Sequence, residues 1–263
     1  MESARLSDVR AGGWLAAVLV VLFVLVPLGS LVAGLQPGDL TAALTDRAVL
    51  ASIGLSVGAA AITAVVAALV GVPLAYLFAR AEFPGKSALQ AIVDLPLAVP
   101  HTVAGIALLF AFGRTGVIGA PLEAAFGLRF WGTAAGVVVA MLYVSLPYTV
   151  TASRLAFEAI EPPLEQVGRV LHAGPWTVFA RISLPLARPG ILSGMTLSFA
   201  RAISEFGAVV ILAYFPMTAP VKIYDLFLQG GLRASAAAAI VLLAVVLVLV
   251  ALLRALAARS TPR

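Results

Sequence analysis

Residues 165–185 read EQVGRVLHAGPWTVFARISLP. They form the longest polar run in a chain that is otherwise almost all apolar. Of 263 residues, 62% are hydrophobic and 11% charged, with a mean hydropathy of +1.09. That composition is far from globular. Such a chain has few places to meet a water-soluble partner, and this run is the best candidate.

Working outward, a spanning helix needs about 20 mainly apolar residues. Six stretches qualify: Trp14–Leu35, Val49–Phe78, Leu89–Phe112, Trp131–Ala152, Ile191–Phe215 and Ala234–Leu256. None alternates strictly, which argues for helices rather than a barrel. The expected fold is all-α, one transmembrane domain over residues 1–263 with six spans. The first run follows Arg5 and Arg10 as a secretion signal would, but it is longer than a signal core and five more runs follow. It is read as a retained span.

Orientation comes from the basic residues. With the N-terminus inside, inner segments hold Arg5, Arg10, Arg80, Lys86, Arg154, Arg169, Arg181, Arg188, Arg254, Arg259 and Arg263; outer segments hold Arg47, Arg114, Arg129, Lys222 and Arg233. Both termini are therefore expected inside. The outer loops are Gln36–Ala48, Gly113–Phe130 and about Pro216–Arg233, and the inner ones Ala79–Ala88 and Ser153–Gly190. The net charge of +5 reflects this asymmetry and not a nucleic-acid partner.

Several chemistries are excluded. Without cysteine there is no disulfide, thiolate metal site or thiol nucleophile. His101 and His172 are the only histidines, too few for a His-based metal cluster, so no metal is expected. Gly85-Lys86-Ser87 lacks the earlier glycine of a phosphate loop, since that position is Arg80, and it follows a span instead of a strand. The chain is expected to carry no ATPase of its own, and Arg80 and Lys86 are read as inner-face anchors. Small residues at four-residue spacing, Gly54/Gly58, Gly132/Gly136 and Gly190/Gly194, mark possible close helix contacts.

The polar loop has its own pattern. Pro162-Pro163 stops one helix and starts the next. Leu164, Val167, Val170 and Leu171 make an apolar face, with Glu165, Gln166 and Arg169 on the other. Ala173-Gly174 permits a turn. Pro175 starts a second short helix carrying Trp176, Phe179 and Ile182 on one face, which Leu184-Pro185 ends. Periodicity leaves two readings open: a knob for a soluble partner, or a hairpin resting on lipid headgroups.

Arg201 and Glu205 lie in the fifth run, four residues apart and hence on one face. They sit about ten residues, roughly 15 Å, from its inner end. Charges at that depth usually face a bundle interior or an aqueous path. The pair is either a structural clamp or a polar face on a substrate path. Asp94 is expected to pair with an inner-face arginine, and His101 to be packed and hydrogen-bonded.

These segments resemble those of ABC-importer permeases. Their last large cytoplasmic loop reads EAA, three residues, Gly, nine residues, I-x-L-P. Ile182-Ser183-Leu184-Pro185 matches the end; counting back places the triplet on Gln166-Val167-Gly168 and the glycine on His172, with Glu165 one place early. Arg169 matches a common arginine, and Gly174 is the expected place for the left-handed turn. Leu95-Pro96-Leu97-Ala98-Val99-Pro100-His101-Thr102-Val103-Ala104-Gly105 is similar to the LPLxxPPTVAG element of molybdate, tungstate and sulfate permeases. Ser198-Phe199-Ala200-Arg201-Ala202-Ile203-Ser204-Glu205-Phe206-Gly207-Ala208 resembles their FARAxxEFGA element. Pro216-Met217-Thr218-Ala219-Pro220 with Ile223-Tyr224 looks most like the archaeal-type tungstate/molybdate branch. The likeness covers about residues 50–255.

The resemblance implies a multi-pass subunit of a prokaryotic plasma membrane, working as a dimer of this chain around one path. It implies two separate ATPase subunits that bind ATP and Mg, an external oxyanion-binding protein, and no cofactor on this chain. It also implies ATPase contact through Glu165, Gln166, Gly168, Arg169, His172, Ala173, Gly174 and Pro175. Pro100, His101, Thr102, Arg201, Ser204 and Glu205 are candidates for the path or its gate. The alternatives are a sulfate/thiosulfate permease of the same architecture, a secondary transporter or channel without an ATPase, and a membrane-embedded enzyme. The last lacks a His/Asp/Glu cluster.

Overall fold

The computed structural model describes residues 2–259, with side chains over 13–257. Arg263 lies outside the described residues, as do the side chains of Arg5, Arg10 and Arg259, all counted above toward the inner face. Twelve α-helices and one π-turn are described, with no strand among the described residues. They are α1 (Glu2–Ala33), α2 (Asp39–Thr45), α3 (Arg47–Arg80), α4 (Lys86–Ala98), α5 (His101–Phe112), α6 (Gly119–Phe126), α7 (Ala134–Glu158), α8 (Pro162–Val170), α9 (Pro175–Val178), the π-turn Phe179–Ser183, α10 (Leu184–Ile203), α11 (Gly207–Leu212) and α12 (Ala219–Arg259), which is interrupted at Gly231 (φ 81°). Four helices (α1, α3, α7 and α12) are long and apolar enough to cross a membrane, and five if the bent pair α4–α5 counts as one span.

The centre is a packing of α3, α7 and α10. Asp46 starts α3 by accepting from the backbone N–H of Ala48 at 2.7 Å and of Val49 at 3.3 Å, which satisfies free amides of the first turn. At 34 residues the helix is about 51 Å long. The middle of its buried face is mostly small, with Ala59, Ala60, Ala64, Ala67, Gly71 and Ala75, while Val49, Ile53, Val72 and Phe78 bury larger side chains along the helix. A Cβ on Gly71 would sit 3.0 Å from Val150 of α7. A Cβ on Gly190 would meet the Ala156 Cβ at 2.3 Å, and one on Gly194 the Ala152 Cβ at 2.9 Å. That glycine pair therefore marks a real contact, between α10 and α7. The other two pairs differ. Gly54 and Gly58 face open space. Gly136, in the capped first turn of α7, is packed: a Cβ there would meet the Phe130 carbonyl oxygen and, at 3.4 Å, the Ala213 Cβ. Its partner Gly132 lies outside the helix, in a left-handed turn (φ 66°). Spacing tells which residues share a face, not which face meets a neighbour.

Two of the six expected runs are not straight helices. Leu89–Phe112 is split: α4 and α5 meet at 114° across Val99-Pro100. Pro100 offers no N–H, and the proline ring holds Val99 extended (φ −78°, ψ 128°). Ile191–Phe215 is also broken, because α10 ends at Ile203 and α11 restarts at Gly207. The chain also corrects the expectation that Leu184-Pro185 ends the second loop helix. From Pro175 the backbone runs through α9 and the π-turn into α10. Pro185 falls just after the π-turn, where the Leu184 N–H bonds five residues back to the Phe179 carbonyl and the run passes a residue that has no N–H. The expected outer loops contain α2 and α6.

Candidate functional site

The polar loop is built around a carboxylate. Glu165 was expected on the outer, polar face of α8; it is instead buried, with its side chain 2% exposed. Its two oxygens accept from Arg80 Nε at 2.9 and 3.0 Å, and Oε1 also accepts from Ser183 Oγ at 2.8 Å. Arg169 Nη2 lies 3.5 Å from Oε2. Arg80 Nη2 donates to the Ile160 carbonyl at 3.1 Å. A buried carboxylate is tolerated because a guanidinium and a hydroxyl satisfy it. Arg80 is thus no simple anchor at the membrane face. Nothing near it in sequence announces a partner 85 positions away.

With Glu165 and Gly168 turned inward, the apolar side of α8 faces out. Leu164, Val167, Val170 and Leu171 are exposed, as is Trp176 of α9. A Cβ on Gly168 would meet Ile182 Cδ1 at 2.7 Å, so the small residue sets how closely α8 lies on the π-turn. Gln166 and Arg169 are exposed beside the apolar face. The loop turn also differs from expectation. Ala173 N–H bonds to the Gly168 carbonyl at 3.0 Å and His172 N–H to the Arg169 carbonyl at 2.9 Å. This is the paired bonding of a Schellman cap, with its left-handed residue at the first position past the helix end. That residue is His172 (φ 59°). Gly174 is ordinary extended backbone (φ −65°, ψ 160°) ahead of Pro175. The turn therefore stays where the family pattern has its glycine.

The second constellation lies where both broken runs meet. A Cβ on Gly207 would lie 2.8 Å from the His101 Cβ, and one on Gly105 would lie 3.0 Å from the Ala208 Cα. Thus α5 and α11 touch almost backbone to backbone. Glu205 sits in the break, its side chain 1% exposed. It accepts from the Ala208 N–H at 2.8 Å and from Arg201 Nη2 at 2.6 Å. The same Nη2 lies 2.8 Å from Nε2 and 3.1 Å from Nδ1 of His101. Arginine can only donate, so the imidazole nitrogen it meets is an acceptor. His101 Nδ1 is 3.7 Å from Glu205 Oε2. Three polar side chains from two broken helices form one network, with His101 about half exposed and Arg201 19% exposed. Pro100 and Thr102 are exposed beside it. Ser204 is exposed too, but its hydroxyl turns back to the carbonyls of Ala200 and Arg201. Asp94, expected to pair with an arginine, is exposed on α4 and forms no ion pair among the described residues.

A membrane-embedded helical bundle, with charges at its helix breaks and an apolar-faced loop pinned by a buried ion cluster, has the construction of a transporter subunit. The chain belongs to the family of binding-protein-dependent transport system inner membrane components, which it matches over residues 71–263; it is a multi-pass protein of the plasma membrane in that family. It is 43% identical over 217 residues to a molybdate/tungstate transport system permease protein of Thermococcus kodakarensis, covering 82% of each chain. It is 40% identical over 187 residues to a molybdenum transport system permease protein of Escherichia coli K12, covering 70% of this chain and 81% of that one. Among solved structures it is similar to a bacterial ABC transporter that imports the polysaccharide alginate. The TM-score there is 0.76, with 20% identity over 97% of this chain and 99% of the other. It is also similar to the inward-facing methionine transporter MetNI, with TM-score 0.62 and 16% identity over 81% of this chain and 96% of the other. At these identities the likeness to solved structures is one of fold.

Proposed function

We propose that the chain is the membrane subunit of an ATP-driven importer of molybdate or tungstate, oriented with both termini in the cytoplasm and binding no cofactor itself. Two copies enclose the path. Two ATPase subunits, which bind ATP and Mg, seat on the exposed apolar face of α8–α9, and an external binding protein delivers the oxyanion. The chain itself breaks no bond. The observation that carries this reading is the identity to molybdate/tungstate permeases over most of both chains. The geometry adds the surface that such a partner needs. Leu164, Val167, Val170, Leu171 and Trp176 form an exposed apolar patch on an otherwise polar loop, and such patches mark contact sites. Gln166, Arg169, His172, Ala173, Gly174 and Pro175 border or shape it, while Glu165 and Gly168 support it from beneath.

The junction of His101, Arg201 and Glu205, with Pro100, Thr102 and Ser204 around it, lines the path. Arg201 supplies positive potential there. Glu205 offsets that potential, so an oxyanion is guided without being held, as conduction requires. The test is reconstitution: the permease with its ATPase and binding protein in vesicles, following labelled molybdate with sulfate as competitor. ATP-dependent molybdate uptake by a complex of two permease and two ATPase chains is expected. A stable complex with one permease chain, or uptake that excess sulfate abolishes, would sink the assembly or the substrate assignment respectively.

A further inference from the structure

The carboxylate of Glu165 joins parts of the chain that the sequence keeps far apart. Arg80 is the last residue of α3, Ile160 follows α7, Glu165 lies in the first turn of α8, and Ser183 closes the π-turn that leads into α10. From Ser183, α10 runs on to Arg201 at the path, about 27 Å away at 1.5 Å per residue. α3 packs along both α7 and α10. A displacement of α8 therefore reaches the central helices only through what fixes α8 to them, and this cluster is a polar, buried fixing point.

We propose that Arg80 is the positioning residue for energy coupling. Through Glu165 it locks α8 to α3 and to the π-turn, so that a shift imposed on the loop moves α3 and α10 together instead of being absorbed within the loop. The physical basis is the cost of separation. Pulling Arg80 from Glu165 would strand a buried charge, so the cluster has one low-energy geometry and behaves as a rigid joint. The nearby Lys86–Glu82 pair, in which the Glu82 side chain is 89% exposed, lacks this property, because water replaces either partner. The π-turn fits the same role. Its extra residue could slip into ordinary α-helical register, and the Ser183 bond to Glu165 opposes that slip.

This proposal rests on the importer reading above, and the experiment separates the two. The full complex in vesicles is compared as parent, R80K, R80Q/E165Q, S183A and K86Q. Thermal midpoint, ATPase retention, ATP hydrolysis and molybdate imported per ATP are measured. R80Q/E165Q leaves no stranded charge and keeps side chains of similar size beneath the docking face. The buried Glu165, its side chain 2% exposed, adds no contact of its own to that face, so the variant is expected to fold and to retain its ATPase chains. Its molybdate per ATP is expected to fall roughly tenfold, within the range of allosteric couplings. R80K should recover part of that ratio, S183A should show a smaller fall, and K86Q should match the parent. A folded R80Q/E165Q with the parent's ratio overturns the proposal, as does one that loses its ATPase chains, since the cluster would then act on docking. If R80Q/E165Q does not assemble, S183A decides: a ratio equal to the parent's overturns the proposal. A parent complex that hydrolyses ATP and moves no oxyanion overturns the importer reading, and the proposal with it.

Discussion

Replacing Arg201 by Gln is expected to damage folding more than replacing Glu205 by Gln, although the two side chains form one ion pair. Arg201→Gln leaves the carboxylate of Glu205, 1% exposed, with the Ala208 N–H as its remaining strong donor. Removing one partner of a buried pair costs about 3–5 kcal/mol, a large share of a total stability of about 5–15 kcal/mol. Glu205→Gln is milder. The amide oxygen still accepts from Ala208, and the stranded guanidinium keeps His101 and partial access to water, with 19% of its side chain exposed. The expected loss is that of a hydrogen bond to a charged group, about 1.5–3 kcal/mol. Removing both charges should recover most of the loss, because no charge is left unpaired. The assay is unfolding of the purified protein in detergent, with molybdate uptake normalised to folded protein. Equal damage from the two single variants, or a double variant less stable than Arg201→Gln, would refute the assignment of Glu205 as the deeply buried member. If Arg201 guides the anion, the double variant folds but transports poorly; full uptake would leave the pair as a structural clamp only.

Three further expectations can be checked with the same preparations. Gly190→Val should lower stability by about 1–3 kcal/mol through overpacking, since even a Cβ meets Ala156 at 2.3 Å; an unchanged unfolding midpoint would show that α10 and α7 are not in close contact. His172→Gly should be neutral or stabilising by up to ~1 kcal/mol, relieving a left-handed non-glycine residue, while Gly174→Val should be tolerated because its Cβ meets nothing within 4 Å; the reverse order of stabilities would move the turn to Gly174. Val167→Asp with Leu171→Asp should leave the midpoint unchanged, as both side chains are exposed, yet weaken ATPase retention on an affinity column; full retention would remove the apolar face from the docking surface.

Much of this molecule is written locally. The all-helical membrane character is legible in the long apolar runs, because the bilayer leaves the backbone no other partner. But four helices, or five with the bent α4–α5 pair, are long and apolar enough to cross, and run length alone does not show that Leu89–Phe112 and Ile191–Phe215 are broken. Prolines 100, 162 and 175 mark a bend and two helix starts through the missing N–H and fixed φ, both properties of the residue itself. The Arg201–Glu205 segment stands out as a path candidate because a charge at depth is costly wherever it falls, and the segment around Pro100 stands out only through its resemblance to the family's element. Only the tertiary structure decided that these two segments meet, through Gly105 and Gly207, and that His101 joins the Arg201–Glu205 pair. It alone turned α8 over. Helical periodicity separates the face with Val167 and Leu171 from the face with Glu165 but does not say which is buried. Arg80 and Ser183 settle that by giving the carboxylate partners, so the charge goes inside and the apolar side chains remain outside. A hydrogen bond across 85 residues has no local signature, and neither does the choice between an exposed glycine such as Gly54 and a packed one such as Gly190. Both depend on which surfaces the folded chain brings within contact distance.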